Sequence, residues 1–413
     1  MFKGLFFRGG AVYKAQSLQA IAWKRFRKNK QAMFLLCFLG VVTLCATLGY
    51  LITPDSTPYS NEQILEISMQ KPFSKLTFLK VRKQQDVQKR NFFAKMIHGQ
   101  PSFFTAVPIS KYWFSADSIH VELFNELPPY NQVSYNMAAV VFPIDNKIPL
   151  QKKEDFIQFS DIYRQKHCIL SADLQKKATK QIVEKTYYLG TDRYGRDVLS
   201  QLIIGARVSL SVGFVSVFIA LIIGIFLGAV GGYFRGKIDD AIMWFINVVW
   251  SIPTLLLVIA ISFALGAGFW QIFVAIGLTM WVDIARVVRG QVISLREREF
   301  VEASKALGFK SLTIIFKHIL PNITGTIIVV AAANFASAIL TEASLSFLGI
   351  GVQPPMPSWG TMIKENYGCI ILPDYAYLAI VPGIAIMLLV LCFMLLGNII
   401  RDILDVKEGK NQH

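Results

Sequence analysis

The chain has 413 residues, of which 54% are hydrophobic and 17% charged, and its formal net charge is +15. Soluble domains carry about a quarter charged residues, so this composition excludes an ordinary soluble enzyme and points to a bilayer. The basic residues cluster in tails and loops beside apolar runs, where attraction to anionic lipid and control of topology account for them without nucleic acid.

The first thirty residues hold Lys3, Arg8, Lys14, Lys24, Arg25, Arg27, Lys28 and Lys30 and no acid. Excess positive charge marks inner segments, which places the N-terminus in the cytoplasm. Residues 1–32 are read as a basic tail and elbow helix. Met33 to Ile52 is a charge-free run of 20 residues, about the length of a crossing helix. Its basic flank and apolar run are too long for a cleaved signal peptide and no small-x-small site follows, so it is expected to stay as the first transmembrane helix.

Residues 53–186 contain no apolar run of that length and fall outside the membrane. Phe73, Phe103, Phe104, Tyr112, Trp113, Phe114, Tyr130 and Tyr135 supply apolar matter for a small packed α+β domain. Strand-like stretches over 119–143 break at Pro128-Pro129, and 150–185 is expected to be helical. Two roles stay open: a spacer or cap, and a docking surface for an extracytoplasmic solute-binding protein. His98, His120 and His167 are scattered, no metal-ligand spacing occurs among five Cys and five His, and no catalytic pattern is visible. Cys168 and Cys369, both outside, are read as free thiols.

Residues 187–405 hold the rest of the apolar sequence. Val208 to Phe234 is one span, rich in Gly, Ala and Ser. Ala241 to Val282 is charge-free for 42 residues, too long for one pass, and Gly266-Ala267-Gly268 divides it into two. His318 to Thr341 and Tyr375 to Ile400 bring the total to six. The C-terminus, with Arg401 and the tail 406–413 carrying Lys407 and Lys410, then lies inside. So does Arg286 to Lys317, which holds seven Lys or Arg. Gly231 to Ile238 approaches a P-loop pattern, but Ile238 stands where Ser or Thr would hold Mg²⁺ and a membrane helix precedes it, so it reads as a helix-end turn.

In the inner loop at about 296–320, Phe300, Ala303 and Leu307 share one helical face and Arg298, Glu302 and Lys305 the other. Gly308 sits where a helix end needs a left-handed residue. A second short helix is expected from Ser311 as N-cap, carrying Leu312, Ile315, Phe316 and Ile319, with Pro321 opening the next span. Periodicity alone leaves a docking knob and a pair of lipid-surface helices equally open.

This loop resembles the EAA loop of ATP-binding-cassette importer permeases. Glu302, Ala303, Gly308, Leu320 and Pro321 match at the right spacing, with Ser304 for the second Ala and His318 for Ile. His-Ile-Leu-Pro-Asn is itself typical of the oligopeptide and dipeptide branch. The basic elbow Trp23 to Lys30, Leu189-Gly-Thr-Asp192-Arg-Tyr-Gly195-Arg196-Asp197, Ser251-Ile-Pro253, Leu340 to Gly349 and Gln353 to Gly360 are similar to the C-type permeases of oligopeptide, dipeptide and nickel importers. The resemblance spans 20–52 and 187–405. It implies a type I importer permease fold in the bacterial inner membrane. A second homologous permease, two ATPase subunits that carry ATP and Mg, and a solute-binding protein would be its partners. Glu302, Ala303, Ser304, Gly308, Leu320 and Pro321 would couple to the ATPase, and this chain would hold no cofactor, no metal and no enzymatic activity. Relatives carry Arg and Asp where this chain has Trp244 and Asn247.

Glu342, Asn247 and Trp359 are the candidates for the translocation path or gate. Glu342 either binds a peptide amine or braces the bundle, and Asp283 and Arg286, three apart, are expected to neutralise each other. A proton-driven transporter would show repeated halves, which are not seen. A membrane receptor or scaffold would leave the loop spacing unexplained.

Overall fold

The computed structural model describes residues 18–124, 131–145, 151–153, 155–266 and 268–405. The basic residues before Leu18, Pro128-Pro129, Tyr130, Ala267, Lys407 and Lys410 lie outside them. A basic helix α1 (Leu18–Lys28) lies ahead of α2 (Lys30–Ile52), the first apolar helix. Asn29 separates them in extended conformation and its side chain accepts from the Ala32 amide at 3.1 Å, which caps α2. Phe26 and Ala32 pack on Cys392 and Leu396 of the last helix, so the elbow is seated on the bundle.

The segment after α2 folds as antiparallel sheets with short helices. Strands β1 (Ser74–Arg82), β2 (Phe104–Ser115), β3 (Ser118–Leu123) and β4 (Gln132–Asn136) follow in turn. Helix α3 (Phe92–His98) lies between β1 and β2, and α4 (Met137–Val141) follows β4. Strands β5 (Gln151–Lys153), β6 (Phe156–Ser160) and β7 (Lys166–Leu170), helix α5 (Ser171–Thr179) and strand β8 (Ile182–Tyr187) complete it. The larger sheet runs β4-β3-β2-β1-β8 and the smaller β5-β6-β7. Among the described residues of the helix expected over 150–185, only the nine of α5 are helical; β5, β6, β7 and β8 with their turns take the others. Along β6 the side chains alternate, with Ile157 and Phe159 buried, and period two wins over the helix-favouring charges around it. Leu79, Ile119, Val121, Met137 and Leu174 form the core. Cys168 and Cys369 are free.

Five helices are long and apolar enough to cross a membrane: α2, α6 (Val198–Phe234), α9 (Phe269–Arg296), the helix Ser311–Leu348 and α14 (Tyr377–Asp405). The remaining expected span is broken. Helices α7 (Gly236–Trp250) and α8 (Thr254–Ala264) meet at 92° across Ser251-Ile252-Pro253. Pro253 has no amide hydrogen and drives Ile252 out of the helical region, so the ladder stops there. Helix α6 packs on α9 through Gly224, Gly228 and Gly232, one per turn. A Cβ on Gly228 would stand 2.5 Å from the Ala285 carbonyl, so only glycine allows this approach.

Arg207 of α6 fastens the outer segment to the bundle. Its guanidinium donates to the carbonyls of Ala46 and Thr47 on α2, at 2.9 Å each, and of Met96 and Ile97 on α3, at 3.0 and 2.8 Å. Met96 and Ile97 lie in the last turn of α3, whose carbonyls lack helical partners, and the arginine fork satisfies them while it takes the spare lone pairs of Ala46 and Thr47.

Candidate functional site

The inner loop forms a short helix α10 (Glu299–Ala306), then a single turn α11 (Ser311–Thr313), a π-helical stretch Ile314–Ile319 and α12 (Leu320–Leu348). Gly308, at φ +77°, closes α10: its amide donates to the Lys305 carbonyl at 2.9 Å and the Phe309 amide to the Ser304 carbonyl at 3.2 Å. These two bonds define a Schellman cap, which an L-residue at Gly308 would strain. Lys310, not Ser311, is the residue before the second limb. That limb is no separate helix, because it runs through the π stretch into the membrane helix without a break. Its Ile314, Ile315 and Ile319 are fully buried, and this packing holds it in line with the span.

The buried face of α10 differs from the expected one. Val301 and Ser304 are buried, while Phe300, Leu307, Phe309, Leu312 and Phe316 are exposed. Glu302 and Ala303 face solvent as well, Gly308 is exposed, and Leu320 and Pro321 stand at the head of α12. The apolar stripe read from the sequence faces outward because Val301 and Ser304 take the core side. Ser304 fits there because its hydroxyl donates to the Phe300 carbonyl at 2.8 Å and so needs no other partner. The result is a fixed projection whose outer surface is apolar, the form of a docking element.

At the opposite end, the stretch from Leu189 to Asp197 is a clasp. Asp192 receives the Tyr194 and Arg196 amides at 2.9 Å each, and its other oxygen pairs with the Arg196 guanidinium, which also reaches Glu365 on α13 (Trp359–Asn366). Thr191 donates to the Ile67 carbonyl and accepts from the Gln70 amide. Asp197 caps α6 by accepting from the Ser200 amide. Outside the membrane, burial raises the Asp197 carboxyl above its ordinary value, partly offset by Lys185.

Two of the path candidates sit inside the packing. Trp359 is buried and its Nε1 donates to the Leu202 carbonyl at 2.9 Å, with Gly205 beneath the ring. Glu342 is fully buried; Ser346 Oγ donates to it at 2.6 Å and accepts from the Val352 amide, which ties the end of α12 to the outer loop. These contacts tie both residues into the packing, while Oε2 of Glu342 is buried without a hydrogen-bond partner among the described residues. Asn247 does face outward, and it accepts from Arg286 Nη2 at 3.2 Å. The Arg286 guanidinium also stacks over Trp250, 3.8 Å from the ring centre. Arg286 is thus drawn away from Asp283, and the expected pair between them does not form among the described residues. The partner that charge spacing missed is Arg289, whose fork grips Asp239 at the start of α7 with contacts of 2.5 and 2.7 Å. Its signal was the Asp239-Asp240 pair opposite two arginines.

Gly231 to Ile238 covers the end of α6 and the start of α7, with Arg235 and Gly236 both at positive φ.

An apolar bundle with an apolar projection at one end and a clasp at the other marks a membrane-spanning component. Residues 220–408 match the family described as binding-protein-dependent transport system inner membrane component, and residues 17–72 the N-terminal transmembrane domain of oligopeptide transport permease C. The outer segment from Ser74 to Tyr187 falls between the two. The glutathione transport system permease protein GsiD of Pectobacterium atrosepticum is 39% identical over 221 residues, 54% of this chain and 73% of the relative. The oligopeptide transport system permease protein OppC of Bacillus subtilis is 38% identical over 226 residues, 55% of this chain and 73% of the relative. The dipeptide transport system permease protein DppC of Alkalihalophilus pseudofirmus is 43% identical over 221 residues, 54% and 72% of the two chains. A chain of the MetNI methionine ABC transporter, in an inward-facing conformation, aligns over 50% of this chain and 97% of its own, at 20% identity and a TM-score of 0.43, too distant to carry an argument. The chain belongs to the binding-protein-dependent inner membrane components, and within them to the permeases of the oligopeptide and dipeptide type.

Proposed function

We propose that this chain forms one half of a peptide-conducting path in an ATP-driven importer, with a second homologous permease as the other half. The observation that carries the reading is the inner projection: α10 is fixed by Val301, Ser304 and the Gly308 cap while Phe300, Leu307 and Phe309 stay exposed. An ATPase cleft is the partner that such a projection suits. Two ATPase subunits bind ATP and Mg and hydrolyse the nucleotide, so this chain is not itself an enzyme and holds no cofactor. Glu302, Ala303, Ser304, Gly308, Leu320 and Pro321 transmit ATPase closure into α12. As the ATPases close, the inner gate shuts and the outer one opens to a solute-binding protein that delivers the peptide.

With the bent α7–α8 pair counted as one crossing, six spans put both termini in the cytoplasm and the segment 53–186 outside. Lipid surrounds the exposed faces of α2, α6 and α14. Mass spectrometry of proteins co-purified from native membranes tests the assignment. Two ATPases and a second permease are expected. A stable complex without any ATPase, reproduced in several mild detergents, would overturn it.

A further inference from the structure

Asp283 is the fifteenth of the 28 residues of α9. It therefore sits near the middle of a helix about 42 Å long. Its carboxylate is exposed, and Arg286, one turn away, is committed to Asn247 and Trp250. Asp283 follows the apolar run directly and lies one turn from the inner segment that opens at Arg286, and a carboxylate within a membrane helix is costly unless it meets water, a counter-charge or a ligand. It borders a recess of about 270 Å³ beside the α7–α8 break, lined also by Thr254, Thr279, Asn334, Ser337 and Thr341.

The hydrogen bonds within the lining determine what the recess can accept. Thr279 Oγ1 donates to the Ile276 carbonyl at 2.8 Å and Thr341 Oγ1 to the Ser337 carbonyl at 2.8 Å. Asn334 Nδ2 donates to the Val330 carbonyl at 3.0 Å. The Thr279 and Thr341 hydroxyls have spent their only proton on their own helix, and the amide has spent one of its two, while the Thr254 and Ser337 hydroxyls can turn either way. The wall beside Asp283 therefore offers oxygen lone pairs next to a full negative charge. Such a surface matches a group with several donors and a positive charge, and an ammonium supplies both.

We propose that Asp283, with Thr279, Asn334 and Thr341, is a site in the inner half of the membrane span for an ammonium group of the transported molecule, the free amino terminus or an amine side chain of a peptide. The proposal rests on the peptide-importer reading above. A basic side chain of the second permease is the competing occupant. The recess favours cargo because it is concave and its polar lining comes from three helices, α8, α9 and α12, of this chain alone.

The test uses the whole transporter in proteoliposomes, with saturating binding protein loaded either with a short peptide bearing a free amino terminus or with its N-acetyl counterpart. The ratio of the two initial rates is read for the wild type, Asp283→Asn and Asp283→Glu. The ratio is expected to fall about tenfold in D283N, the loss of one charge-assisted bond, and to be largely retained in D283E. An N-acetylated lysyl peptide that remains sensitive to D283N identifies the side-chain amine as the occupant. An unchanged ratio in D283N together with an N-acetylated lysyl peptide insensitive to it, with wild-type peptide transport intact, overturns the site and leaves the importer reading standing. Loss of the second permease on co-purification of D283N also overturns it, because the carboxylate would then be an inter-subunit counter-charge. A wild-type complex that moves no peptide overturns the underlying reading and the site together.

Discussion

Replacing Gly308 with alanine isolates the rigidity of the inner projection. A Cβ at this position meets nothing within 4 Å, so no steric clash confuses the result. The cost is that of holding an L-residue at φ +77°, about 1–2 kcal/mol. The Schellman bonds from Gly308 and Phe309 depend on that conformation. Since 1.4 kcal/mol is tenfold in an equilibrium constant, opening of the last turn of α10 rises roughly 5- to 30-fold. Hydrogen exchange of the Leu307, Gly308 and Phe309 amides in the purified complex reads this directly, because protection falls as opening grows. Asparagine tolerates the left-handed region better than alanine, so G308N recovers part of the protection. Equal protection in wild type and G308A, or a larger loss in G308N, would refute the argument.

Leucine at Gly228 forces α9 away from α6 at the Ala285 carbonyl and costs about 1–3 kcal/mol, whereas leucine at Gly40, where a Cβ meets nothing, leaves the half-life in detergent unchanged. Arg196→Ala strands the buried Asp192 and the neighbouring Glu365, a loss of about 3–5 kcal/mol seen as a lower unfolding temperature. In the outer segment, burial alone would raise the Asp161 carboxyl, but the His167 ring and the Gln165 and Tyr163 amides together hold it below its ordinary 3.8. A depressed carboxylate stabilises above its unfolded value and is lost as pH falls through its folded one. The protection factors of the Phe156–Leu170 amides, with the intrinsic pH dependence of exchange divided out, should thus stay flat from pH 8 to about 5 and fall only below pH 4 or so. Single cysteines at Phe309 and Tyr163, in an otherwise cysteine-free chain, should react with a membrane-impermeant maleimide from opposite sides; labelling of both from one side would refute the six-span topology.

The spans were legible because a soluble fold seldom has a use for a charge-free run of twenty or more residues. Hydropathy carries no direction, however, so the 92° turn at Ser251-Ile252-Pro253 lay hidden inside an apolar run that read as one straight helix. The docking loop was legible as two limbs, but its inner and outer faces were not. Phe300 and Leu307 form as good an amphipathic stripe as Val301 and Ser304 do, and only tertiary packing chooses between them. The strands β5 to β7 were obscured by Gln151, Lys152, Lys153 and Gln158, which favour helix locally while Ile157 and Phe159 alternate. The spacing of Asp283 and Arg286 permits a pair, yet it says nothing of Asn247 and Trp250, which reach Arg286 from another helix. Glu342 is visible in the sequence as a charge at a span end and Trp359 as part of the Gln353 to Gly360 motif, but the contacts from Val352 to Ser346 and from Trp359 to Leu202 are not.

The helix from Ser311 to Leu348 is 38 residues long, a beam of roughly 55 Å. Its inner end is clamped by Ile314, Ile315 and Ile319, and its outer end is pinned through Glu342 and Ser346 to Val352. From Leu320 to Leu348, beyond the π stretch, no break interrupts the helix, so this length of roughly 43 Å transmits rotation rather than absorbing it: a 10° tilt about its centre carries each tip by roughly 4 Å in opposite directions. The two ends of this helix are therefore geared to one another, with displacement of one end fixed to an opposite displacement of the other.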